Sequence, residues 1–523
     1  MGPDRGKATQ MTDVLESPRE LTRTSVVITT NGPVRGYHDG GLDIFKGLRY
    51  AAPPVGALRF RPPRRPAPWT EAVDALHLGA PAIQAGLAPG EKTGGRSPGD
   101  PPAPDQPETG EDCLFINLWT PGLDARKRPV MVWLHGGGFA NGSGGAAMYD
   151  GAALSRRGDV ITVTVNHRLN VFGYLNLADL GGHASSGQAG MLDIVLVLEW
   201  VRDNIVAFGG DPANVTIFGE SGGGAKVSML QAMPGARGLF HRAIIQSGPG
   251  LRALEKDAAT STARKVLAFL GIEPGDLGRL QGLPAREVQA AAERAGADNP
   301  LRAFSPCLDG IALPRHPFDP DAPAISDAAP VMIGTNKDEA TLFLFRDERF
   351  GKFTDEDLQR RAKAAVGEKS DALIGALVAL FPDYSPTHLI CALQTMTTMW
   401  ASSVTLAERK HARGAAPVFM YMLGWETPVA RGALKSPHAL EIPLVFDNVE
   451  TARNFVGRGD EPQRLADQMA PAWLAFARTG DPNAPGLPSW PAYGVSRRAT
   501  MVFDVESRIE DDPWSEARRI MLG

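Results

Sequence analysis

The chain has 523 residues, 43% of them hydrophobic and 22% charged, and a formal net charge of −5. That is ample material for a large core, and no basic block exceeds short clusters such as Arg61 to Arg65, which argues against a nucleic-acid partner. No apolar run reaches the ~18 residues that span a bilayer, so no membrane partner is expected either.

In chain order, residues 1–24 read as a flexible N-terminal tail. Met1 to Glu20 carries charges throughout and lacks the apolar stretch of roughly 7–15 residues that marks a secretory signal. Residues 25–30 open the first strand, and Asn31-Gly32 makes a turn. Ala85 to Gly110 is rich in Gly, Pro and acidic residues and reads as a long surface loop. Strand-length apolar runs follow at Cys113 to Trp119, Val130 to Leu134, Val160 to Val165, Val215 to Phe218, Ala243 to Gln246 and Val331 to Gly334. Helix-length segments lie between them, notably Gly190 to Ala207 and Ala225 to Met233. Strands that alternate with helices and are apolar almost throughout predict an α/β fold around a buried, mostly parallel sheet. Two largely helical stretches, about 251–298 and 354–413, are expected as cap insertions. The motifs run from residue 45 to residue 490 without a linker-like break, so 25–523 is expected to be one catalytic domain. The only cysteines, Cys113, Cys307 and Cys391, do not form a disulfide framework, and a cytoplasmic location fits them best.

Chemistry concentrates at Gly219-Glu220-Ser221-Gly222-Gly223, which follows an apolar strand and precedes a helix. A G-x-S-x-G turn of this kind is sharp, and it lifts a serine Oγ out of the sheet edge as a nucleophile. Upstream, Leu134-His135-Gly136-Gly137-Gly138-Phe139 also follows a strand. Successive glycines there free backbone N–H groups to converge on one point, as an oxyanion hole requires. Other chemistries drop out. Ala225-Lys226-Val227 stands where a Walker loop needs Lys-Ser/Thr, no lysine has a serine three residues before it, and the ten histidines form no H-E-x-x-H pair. Neither a metal nor another cofactor is expected.

Together these segments resemble the type-B carboxylesterases of the α/β-hydrolase fold, a family that includes cholinesterases and bacterial para-nitrobenzyl esterases. The resemblance is carried further by Phe45 to Ala51 with Pro53 to Gly56, by Glu111 to Leu118, and by Phe208 to Pro212. At the C-terminal end it is carried by Phe476 to Asn483 and Pro488 to Pro491. It implies a large, mostly parallel central sheet flanked by helices, and hydrolysis of small-molecule carboxylic esters through an acyl-enzyme. It also places the triad. Ser221 is the nucleophile, Glu339 in Asn336-Lys337-Asp338-Glu339 is the acid, and His438 in Pro437 to Pro443 is the base. Gly137, Gly138 and Gly222 become the oxyanion donors. Glu220 is expected to adjust the charge around His438, Ser247 to help hold the acid, and Arg59 with Glu111 to form a structural ion pair.

The sequence departs from the family at Gly222, where relatives commonly have Ala, and this is expected to hold the turn less rigidly. It also lacks any aromatic residue between Ala82 and Asp112, which argues against choline esters. Phe139, Phe172, Met399 and Trp400 are candidates for the pocket wall. Two other readings stand beside the esterase: the same chemistry directed at carbamates or amides, and a binding protein without catalysis. The latter usually loses a triad member, and none is lost here. The sequence leaves the oligomeric state open.

Overall fold

The computed structural model describes residues 21–84 and 107–522. An 11-stranded sheet runs through it. Its strands are β1 (Tyr37–Asp39), β2 (Leu42–Arg49), β3 (Phe115–Thr120), β4 (Arg128–Leu134), β5 (Ile161–Val165) and β6 (Gly210–Glu220). The others are β7 (Arg242–Gln246), β8 (Val331–Asn336), β9 (Val418–Leu423), β10 (Ala499–Phe503) and β11 (Arg508–Asp511). Across the sheet the order is β11-β10-β9-β8-β7-β6-β4-β5-β3-β2-β1. From β10 to β5 every neighbouring pair is parallel. Both margins are antiparallel.

The continuous apolar runs follow from burial on both faces. Every residue of β4, β5, β8 and β9 is buried. Side chains alternate between the faces. On one, the rings of Trp133, Phe218 and Phe446 meet edge-on or stacked at 4.9 to 5.6 Å. On the other, Val132, Ile217 and Ile245 join the larger core with helix α1 (Ala189–Asn204). Arg168 secures α1 to the loop after β5. Its Nε and Nη2 donate to the Asp193 carboxylate at 2.8 and 2.6 Å, with both side chains buried.

The functional loops all leave the C-terminal ends of parallel strands, the side where open α/β sheets place their sites. The His135 to Gly138 turn follows β4, Ser221 follows β6, Glu339 follows β8, and the loop carrying His438 follows β9. Both expected insertions are helical. Helices at Lys256–Leu270, Leu277–Gly282 and Ala285–Ala295 form the first. Asp355–Val366, Ser370–Leu380, Pro386–Thr395 and Ala401–Ala412 form the second, with a π-helical turn at Met396–Trp400.

Some expectations need correction. Residues 21–24, assigned to the tail, are tied in: Thr24 is buried, and its N–H donates to Gly36 O at 3.0 Å. The first strand is only Val27–Ile28, and it pairs in a separate three-stranded sheet. β1, β2, β9, β10 and β11 were not anticipated: β1 and β11 are short and partly exposed, β2 is interrupted by Lys46-Gly47, and β9 and β10 follow long helical stretches. The tail through residue 20 and most of the expected surface loop, residues 85–106, lie outside the described residues.

Candidate active site

Ser221 occupies a strained turn. It sits between β6 and helix α2 (Gly222–Leu230) with φ 55° and ψ −121°, a conformation that costs a non-glycine residue about 1–3 kcal/mol. The surroundings hold it there: its N–H donates to Gln246 O at 2.8 Å, and its carbonyl accepts from Ala225 N–H at 3.0 Å. Gly223 is required by space, since a Cβ would lie 1.9 Å from Leu134 O. Glu220 is buried, whereas Ser221 is partly exposed.

The glycine turn after β4 lies alongside. Gly137 and Gly138 have φ of 82° and 64°, open to glycine and strained for other residues. Among the described residues, nothing accepts a hydrogen bond from the N–H of Gly137, Gly138 or Gly222. These donors are available to a ligand. Gly222 packs directly against the turn, and a Cβ there would lie 2.2 Å from Gly138 O. The glycine therefore has a steric reason in this chain.

His438 lies between two carboxylates. Its Nδ1 is 2.5 Å from Glu339 Oε2, and its Nε2 is 3.0 Å from Glu220 Oε1. The Glu220 contact is an ion-pair distance without hydrogen-bond alignment, and no hydrogen bond joins Nε2 to Ser221. Burial alone would depress the imidazolium. The charges of Glu220 and Glu339 outweigh it and hold the His438 pKa well above the ordinary histidine value. A third carboxyl, Glu441, is fully buried beside them, and burial with the charges of Glu220 and Glu339 pushes it up to about 8.

The supports of this cluster come from several elements. Glu339 Oε1 accepts from Asn336 N–H at 2.7 Å. Asn336 Nδ2 donates to Pro437 O and to Glu441 Oε2, both at 2.7 Å. Asp338 has a different task from its neighbour. Its carboxylate accepts from Tyr384 Oη at 2.9 Å and Ser436 N–H at 3.2 Å, and its N–H donates to Ser436 O at 2.9 Å. It braces the histidine loop. Phe343, unremarked in the sequence, places its ring 5.0 Å from that of His438.

Of the expected site residues, Glu220, Glu339 and His438 come together beside the Ser221 turn, and Gly222 meets Gly138. Ser247 differs. It stands at the end of β7 with its Oγ buried and without a hydrogen-bond partner, while the Glu339 oxygens are taken by Asn336 and His438. Arg59 and Glu111 form a bidentate pair at 2.7 and 2.6 Å. A cavity of about 600 Å³ adjoins the turn, lined by Phe139, Ala225, Met229, Leu251, Arg302 and Ser402 among others. Of the four pocket-wall candidates only Phe139 reaches it. Phe172 stacks on Phe60 at 6.2 Å, and Trp400 packs on Trp514 at 5.2 Å, both as core. Among the described residues, no cluster of three or more His, Cys, Asp or Glu is arranged to hold a metal, and no helix is long and apolar enough to cross a membrane.

Comparison with known proteins bears on this geometry. Residues 23–518 match the profile of the Carboxylesterase family. The chain is 37% identical to the para-nitrobenzyl esterase of Bacillus subtilis (strain 168) over 504 residues, covering 94% of this chain and 98% of the relative. It is 33% identical to the phenmedipham hydrolase of Pseudarthrobacter oxydans, covering 91% and 94% of the two chains. Among solved structures, the Geobacillus stearothermophilus carboxylesterase EST55 at pH 6.2 superposes with a TM-score of 0.82 at 38% identity, over 95% of this chain and all of the other.

Proposed function

This chain belongs to the carboxylesterase family and is a carboxylic ester hydrolase of the α/β-hydrolase fold, and on that premise we propose that Ser221, His438 and Glu339 carry the reaction. The observation that carries the assignment is the 2.5 Å contact from His438 Nδ1 to Glu339, beside a serine in the strained turn.

His438 swings about its Nδ1 anchor so that Nε2 passes from Glu220 to the Ser221 Oγ and takes its proton. The Oγ attacks the ester carbonyl, and the oxyanion forms against the N–H groups of Gly137, Gly138 and Gly222. Glu339 fixes the tautomer and stabilises the imidazolium, while the nearby Glu220 carboxylate adds a second negative charge beside the ring. The proton then goes to the leaving alcohol. Water activated by His438 releases the acid from the acyl-enzyme, and no cofactor enters. Substrates are small-molecule esters, with the cavity beside Phe139 and Ala225 as the space for one arm of the ester. Residues 25–523 act as one catalytic domain, a reading supported by a sheet drawing strands from Tyr37 to Asp511. A cytoplasmic location is supported by three free, buried cysteines.

The test is kcat/KM on p-nitrophenyl esters of rising acyl length, with Ser221→Ala alongside. Wild-type turnover that falls by roughly 10⁴-fold or more in the variant supports the assignment. Turnover retained by the variant refutes Ser221 as the nucleophile.

A further inference from the structure

Lys226 has no part in the steps above, yet it touches the turn on which they depend. It lies on α2 beyond Ser221 and is fully buried. Its Nζ donates to the carbonyls of His135 and Gly138, each at 2.9 Å. These are the two ends of the glycine turn. The carbonyls between them are held by other groups: Gly136 O by His135 Nδ1 at 2.9 Å, and Gly137 O by the N–H of Ala140 and Asn141 at 3.3 and 3.0 Å. Because a peptide unit is planar, each fixed carbonyl also fixes the N–H on the same plane. Lys226 thus locks the two outer planes, and the N–H groups of Gly137 and Gly138 lie on the two planes between.

We infer that Lys226 is a positioning residue of the oxyanion hole, its amine drawing the His135 and Gly138 carbonyls inward so that the N–H groups of Gly137 and Gly138 converge on the ester oxygen. The inference rests on the reading of those glycines as oxyanion donors.

Three observations support it. A glycine turn has no side chains of its own to select one conformation, so something else must do so. Burying an amine is costly unless it is well partnered, and burial here pulls Lys226 down to about 7, offset in part by Glu220. The histidines behind the turn add no competing cation: burial and the charge of Lys226 lower His135 to about 3 and His167 well below its ordinary value. The third observation is Gly222. The Gly138 carbonyl that Lys226 holds is the atom a Cβ at 222 would strike, so the glycine and the lysine fit one arrangement of the turn. Without the amine, the Gly138 carbonyl is free to turn its negative end toward the developing oxyanion.

Lys226→Met keeps the length and apolar stem and removes the donor. Active sites of wild type and variant are counted by stoichiometric fluorophosphonate titration, so any unfolded fraction drops out of the comparison. The expected result per titrated site is a kcat loss on the order of 10²-fold with KM changed less than about threefold. Affinity for a trifluoromethyl ketone, whose adduct places an oxyanion in the hole, should fall in proportion. A purely structural lysine would lower the thermal midpoint and leave kcat per site and ketone affinity unchanged, which overturns the inference. A kcat loss without loss of ketone affinity overturns it as well. Failure of the wild type to hydrolyse any ester would overturn the function on which it rests.

Discussion

A histidine placed between two carboxylates has a pH dependence that can be derived. As the proposed base, His438 acts only when neutral, so turnover is expected to fall as pH drops through its pKa. Burial works against the charged ring, and Glu220 and Glu339 together raise the pKa well above the ordinary value. Removing one of those charges destabilises the imidazolium. In Glu220→Gln the acid limb of the kcat/KM profile therefore moves to lower pH. Plateau kcat falls on the order of tenfold, about 1.4 kcal/mol of lost imidazolium stabilisation. An unmoved acid limb would show that Glu220 does not act on His438. At this scale the sequence was informative where a residue sits in a distinctive local pattern, as Ser221, Gly137 and Gly138 do. Glu339 and His438 were legible only through family resemblance, because an Asp-Glu pair or a lone histidine carries no local signal. Lys226 was legible only as a residue that breaks a phosphate-loop pattern; its reach back to His135, 91 positions earlier, appears only in three dimensions.

Among elements, the turn after β8 divides two adjacent acids between two tasks. Glu339 faces His438, and Asp338 faces Tyr384 and Ser436. Glu339→Gln should lower kcat by roughly 10³–10⁴-fold with little change in thermal midpoint, as loss of the orienting carboxylate does in other triads. Asp338→Asn places an amide where an acceptor serves Ser436 N–H, and should cost about 1–3 kcal/mol of stability while kcat stays within roughly tenfold. Thermal melts and initial rates on both variants decide it; the reverse pattern would move the acid assignment to Asp338. The sequence could not separate these roles, because Tyr384 is 46 positions and Ser436 98 positions from Asp338. The helical insertions were legible as classes of structure, but their inward faces were not: Trp400 was a pocket candidate and packs on Trp514 instead.

For the whole molecule, the parallel strands β4 to β8 were readable because burial on both faces demands uninterrupted apolar runs, whereas the parallel β9 and β10 were obscured by the long helical stretches before them. The outer antiparallel strands were not readable either. The antiparallel strands β1, β2 and β11 carry polar residues such as His38, Asp43 and Arg508, and partial exposure removes the apolar signature. What the sheet achieves is placement: four loops from separate parts of the chain reach one edge and assemble the site around Ser221. The claim that this serine is the nucleophile is tested most directly by reacting the wild-type protein with a fluorophosphonate during ester turnover and mapping the adduct by peptide mass spectrometry. The account predicts a single adduct on Ser221, with activity lost in proportion to its formation. Activity lost through an adduct on any other residue, or full turnover with Ser221 modified, would contradict it.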